Sequence, residues 1–254
     1  MSVFTDGVIA TIGDLRGYES SILEVAHTEG IDLTVKLALS QEEVGMELEA
    51  LLARTRAGAW SGGTGRQVLD HVVVTRPLKQ WLVFQALALA YRDAYNSQLN
   101  DRYMGRWKEY SQLAKWAAGM LRETGVGLVS APIKKAAEPL MSAAAGSGAA
   151  RRYYIQVAWR GASGVEGAPS EVSVFETTDG TLLEVEAIDP PAAAAGWSVY
   201  AGITEDSITL QSETAVGLGQ KWTAPEAGLI TGRKPGQGQD PETYVTVDRT
   251  LQRG

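Results

Sequence analysis

Two histidines, His27 and His71, are the only imidazoles in the chain, and cysteine is absent. Thiolate metal sites, disulfides and cysteine nucleophiles are therefore excluded. A zinc site built on three histidines of one chain is excluded as well. A Ser–His–Asp triad would have to use one of the two imidazoles. His27 falls near the end of a predicted helix, where a cation meets the dipole of the C-terminus. His71 lies beside Asp70 in the apolar run LDHVVV. Neither is near a G-x-S-x-G elbow. The 30 acidic residues leave room for a carboxylate pair of the kind that cleaves sugars. However, Glu42, Glu43, Glu47 and Glu49 read as the wet face of a helix. Glu184 and Glu186 are two apart and share one face of a strand. The glycine-rich AGAWSGGTGR, Ala57 to Arg66, lacks the Lys-Ser or Lys-Thr of a phosphate loop, and no strand precedes it. The expectation is an assembly or binding protein rather than an enzyme, with no catalytic residue, cofactor or metal.

The elements around these residues differ between the two halves. From Asp14 to about Gly125 apolar residues recur at helical spacing. A first helix is predicted over about Asp14 to Thr28, with Thr11 and Asp14 in capping-box spacing and Gly30 as C-cap. A second runs from about Asp32 to Arg56 on the stripe Leu33, Leu37, Val44, Leu48 and Leu51. A third, from Pro77 to about Asn96, is apolar nearly all round, so it is either central in its bundle or covered by another subunit. A fourth, Asp101 to Thr124, carries the packing stripe Tyr103, Trp107, Tyr110, Ala114, Ala117 and Leu121, and predicts an antiparallel partner.

Beyond Ser142 to Ala150, a small-residue stretch that reads as a linker, the pattern changes to short strands. RRYYIQVAWRG, SEVSVFE, TLLEVEAI, GWSVYAG, SITLQS and ETYVTV are strand candidates, with Trp159 and Trp197 in the core. The expected fold is α+β and multidomain. An α-helical bundle of about four helices, residues 1–141, is followed by the linker, residues 142–150. A β-sandwich of immunoglobulin or fibronectin-III type, residues 151–254, ends in a terminal strand and a tail.

Net charge is −7, with 15 basic and 16 acidic residues in 1–150 and 8 and 14 in 151–254. A conventional nucleic-acid binder needs a basic surface, which this balance opposes. No apolar run reaches membrane-helix length. The N-terminus lacks the pattern of a signal peptide, so synthesis in a cytoplasm is expected.

The stretches DLRGYESSILEVAHTEGIDLTVKLALSQEEVGMELEALL and LKQWLVFQALALAYRDAYNSQLNDRYMGRWKEYSQLAKWAAGMLRETGVG resemble the head–tail connector (adaptor) proteins of tailed bacteriophages. YYIQVAWRGASGVEGAPSE, GWSVYAG and GLITGRKPGQGQ resemble fibronectin-III-like or immunoglobulin-like modules of phage structural proteins. The resemblance implies a virion neck protein, assembled in the host cytoplasm, that joins the portal to tail or nozzle proteins. It implies a ring of copies, a dodecamer matching the portal, around a channel passing double-stranded DNA without sequence-specific binding. Such adaptors need not carry a sandwich.

A ring needs a heterologous interface. Candidates are Trp60 in the glycine loop, the apolar third helix, and the terminal strand with Tyr244, Val245 and Val247, placed to add to a neighbour's sheet edge. Glu42, Glu43, Glu47 and Glu49 are candidate channel-lining residues, because a basic lining would hold phosphates. Two alternatives stand beside the connector. One is a glycan- or tail-fibre-binding module, for which an exposed aromatic row including Trp222 and Tyr200 would speak. The other is a connector that degrades peptidoglycan, which requires two carboxylates in one cleft.

Overall fold

The computed structural model of the chain describes residues 1–54, 66–98 and 101–246. The fold is α+β, with a helical region and several antiparallel sheets. The chain divides into two compact units. The helical unit takes Phe4–Ser130 and the segment that begins at Pro241. The sheet unit takes Met1–Val3 and Ala131–Asp240.

In the helical unit, α1 (Ile12–Tyr18) starts in the predicted capping box. The Thr11 hydroxyl accepts from the Asp14 amide, and the Asp14 carboxylate accepts from the Thr11 amide. The single helix expected over 14–28 is two. Glu19 is extended, and its carboxylate accepts from the Ser21 amide and hydroxyl. Side-chain bonds of this kind compete with the helical ladder and break it. α2 (Ile22–Glu29) follows and ends at Gly30, whose φ of 65° is left-handed as a C-cap requires. α3 (Leu33–Ala53) starts at Asp32, whose carboxylate accepts from the amides of Thr34 and Val35. α4 (Arg66–Leu69) is a single turn.

α5 (Arg76–Gln98) is the central helix of its own unit. Leu78, Leu82, Val83, Phe84, Leu87 and Tyr91 are all buried in one core with residues of α1, α2, α3 and α6 (Asp101–Thr124). α6 runs antiparallel to α5, as expected. Tyr91 stacks on Tyr110 at 5.7 Å, while the later Tyr95 stacks on the earlier Trp107 at 5.9 Å. The predicted stripe holds, since Tyr103, Tyr110, Ala114, Ala117 and Leu121 are buried.

Past Gly125, β1 (Val126–Leu128) runs between Val72, which bridges to Leu128, and the terminal strand β9 (Thr243–Val245). β9 was expected in the sandwich. It instead pairs with β1 in the helical unit, with Val245 packed against the helical core. Gly127 leaves space for this return. A Cβ there would stand 2.7 Å from Pro241 Cγ.

The sheet unit has two antiparallel sheets. One has the order β2–β5–β8, from β2 (Leu140–Ala145), β5 (Thr181–Glu186) and β8 (Trp222–Thr223). The other is β4–β3–β6–β7, from β3 (Arg151–Gly161), β4 (Ser173–Thr177), β6 (Ala194–Gly202) and β7 (Thr209–Leu210). Inward residues of both meet in one core: Ile155, Val157 and Trp159 of β3, Leu183 and Val185 of β5, and Trp197 and Val199 of β6.

The boundary differs from the expected one. The predicted linker, residues 142–150, holds most of β2, paired with β5 from Leu140↔Glu186 to Ala145↔Thr181. Alanine and serine have weak strand preference, which hides an exposed edge strand in a small-residue run. Apart from Met1–Val3, the sheet unit thus begins at Ala131, not at 151.

Candidate functional site

Several of the residues singled out from sequence can be placed. Trp60 and Val247 lie outside the described residues. Tyr244 is exposed on β9, opposite Gly127, and Val245 is half-buried. The four glutamates do not form one row. Glu43 accepts from the Gln85 amide at 2.6 Å, and Glu47 pairs with Arg122 at 3.1 Å, so both face α5 and α6. Glu42 and Glu49, seven residues apart, share a different line of α3. The His71 ring is held at Nδ1 by the Val129 carbonyl, 2.8 Å away. Among the described residues, no three of His, Asp and Glu are grouped as a metal would require, and no helix is long and apolar enough to cross a membrane.

Buried carboxylates are matched by donors. Glu166, in the hairpin after β3, accepts from Ser198 at 2.6 Å and Tyr200 at 2.7 Å, and pairs with Arg233 at 2.6 Å. Burial alone would raise its pKa. The bonds from Arg233, Ser198 and Tyr200 outweigh that and hold it below the ordinary carboxylate value. Arg233 also lies over the Tyr200 ring at 5.5 Å, so this network ties the segment that carries Arg233, between β8 and β9, down to β6. Glu19 is held the same way. Burial works against its charge, but Ser21, Tyr110 and Arg106 more than offset it and lower its pKa. Nearby, burial pushes the Tyr91 phenol up to about 12. Tyr200 is buried completely, and Trp222 packs partly against the sheet core, so neither belongs to an exposed aromatic row.

The helical unit offers three surface features of another kind. The first is a groove of about 460 Å³ with α5 as its floor and α3 and α6 as walls. Trp81, Ala88, Trp107, Ala114 and Ala118 form its apolar surface, and Arg92, Lys115 and Arg122 stand around it. A second depression of about 460 Å³ contains the Lys36–Asp93 ion pair. The third feature is the outward side of α3. Val35 (48% exposed), Leu39 (38%) and Met46 (62%) are separated by steps of four and seven, so they share one line of the helix. That line lies roughly opposite the buried stripe Leu37, Val44 and Leu48.

Sequence reading assigned α3 one apolar stripe and missed the second. The signal was present in the spacing of residues 35, 39 and 46. The groove had no sequence signal, because it takes side chains from three helices, α3, α5 and α6, and only their packing brings these together.

No protein-family model, no curated protein and no solved structure matches the chain.

Proposed function

We propose that this chain is a structural protein of the tailed-phage neck, a head–tail connector whose copies form a ring between portal and tail. Its work is assembly through shape and contact, without turnover. The observation that carries the reading is the joint packing of the two connector-like stretches. Residues 14–52 and 78–127 fold against each other into one helical unit with α5 at its centre. A unit that buries its central helix yet keeps an apolar stripe outside has a surface suited to partners.

The sheet unit is read as a fibronectin-III-like module. The order β4–β3–β6–β7 facing a three-stranded sheet, with Trp159 and Trp197 between them, supports this. β8 beside β5 and the open outer edge of β2 are departures from that pattern.

The ring would join the portal above and tail or nozzle proteins below, and DNA would pass without sequence-specific contacts. Labelling with an antibody against the chain tests this on virions of the phage that encodes it. Label at the neck is expected. Virions that lack the protein would overturn the reading.

A further inference from the structure

We infer that one copy's α3 docks, by its outward apolar stripe, along the groove and basic α6 edge of a second copy of this chain. The inference rests on the connector reading for ring closure, while its contacts come from this chain alone.

The outward stripe of α3 has a large apolar side chain at Val35, Leu39 and Met46, all exposed. On one flank of that stripe lie Glu42 and Glu49. Neither has a hydrogen-bond or ion-pair partner among the described residues. Seven residues of helix advance about 10.5 Å and nearly complete two turns, so the two acids form a straight row. The receiving face has the opposite charge. Lys108, Lys115 and Arg122 follow one another along α6 at the same seven-residue step. Arg122 is engaged with Glu47 of its own chain, but Lys108 and Lys115 have no acidic partner among the described residues. Arg92, on the groove's α5 side, is likewise unpaired there.

Equal spacing lets Glu42 and Glu49 meet Lys108 and Lys115 together. The apolar stripe then lies against the Trp107 and alanine surface of the groove. A helix laid into an apolar groove with charged edges is a recurrent mode of recognition. Charge complementarity sets which faces meet and in what register. It selects a second copy as the occupant, because this chain itself supplies the matching acidic row. The two faces are different, so the contact is heterologous, and it forms a ring when the rotation from copy to copy closes, as the connector reading requires.

The test is a charge swap on the full chain, read by native mass spectrometry with and without the portal ring of the same genome. Glu42→Lys/Glu49→Lys and Lys108→Glu/Lys115→Glu change three exposed positions and one half-buried one, Glu49, and circular dichroism checks that both variants fold. Each variant alone is expected to lose the ring that wild type forms. An equimolar mixture is expected to regain it, because each α3 now faces an opposite α6. A folded Met46→Asp variant is expected to lose the ring without rescue by either partner. Rings from either charge variant alone, a mixture that stays monomeric, or a wild type monomeric in both conditions would overturn the inference. Rings that obey the swap but ignore the portal would instead remove the connector reading and leave the docking mode standing. Portal-bound rings indifferent to the swap would do the reverse.

Discussion

Trp159 and Trp197 stand directly opposite each other on β3 and β6, 2% and 0% exposed. The pair forms the centre of the sheet unit's core, and the Trp197 indole donates to the Gly217 carbonyl at 3.2 Å. Trp197→Ala removes both the packing and that bond. A loss of about 3–5 kcal/mol is expected, as for other buried tryptophans. Urea unfolding followed by tryptophan fluorescence measures it. A loss below about 1 kcal/mol would contradict the core described above.

Gly127 makes the return of the C-terminal segment possible. Its missing side chain lets Pro241 approach, and β9 closes on β1 with Val245 opposite Val126. Gly127→Val puts a branched side chain into that space. The expected result is faster amide exchange at Thr243–Val245, with exchange in the α5 core little changed. Unchanged protection of β9 would show that Pro241 yields without displacing the strand.

Glu166 gives the sheet unit a definite acid limb. Its carboxyl pKa is lowered in the folded protein, so its contribution to stability is present above the unfolded value. That contribution is lost as pH falls through the lower, folded value. The window therefore lies below the ordinary value of 4.5. Glu166→Gln keeps the shape but leaves Arg233 without its counter-charge. It is expected to cost about 1–3 kcal/mol at neutral pH. It should also flatten the fall in stability below pH 4.5 relative to wild type. Parallel acid limbs in the two proteins would assign the dependence to other carboxylates.

The parts of this fold legible in the sequence are those carried by a strong period. α5 and α6 follow from apolar residues at helical spacing, and the alternation around Trp159 locates β3 and its buried face. Local chemistry competed with period elsewhere. Glu19 cuts one expected helix into α1 and α2 through bonds to Ser21 that no hydrophobic pattern announces. β2 is Leu-Met-Ser-Ala-Ala-Ala, and only its pairing with β5 distinguishes it from a linker. β9 has an ordinary strand pattern, but which sheet it joins depends on Gly127, more than a hundred residues earlier.

The interaction surface was legible only in part. Glutamates 42, 43, 47 and 49 look like one acidic face because they are close in sequence. Glu43 and Glu47 turn toward α5 and α6, while Glu42 and Glu49 flank the exposed apolar line. Separating them requires knowing which neighbours α3 has.

The most direct test of the connector account is the mass of purified full-length chain mixed with the portal ring of the same genome. Native mass spectrometry or light scattering would give the number of bound copies. The account predicts that every portal ring takes up one complete, fixed complement of the chain. Portal rings that remain bare in the presence of excess folded chain would contradict it.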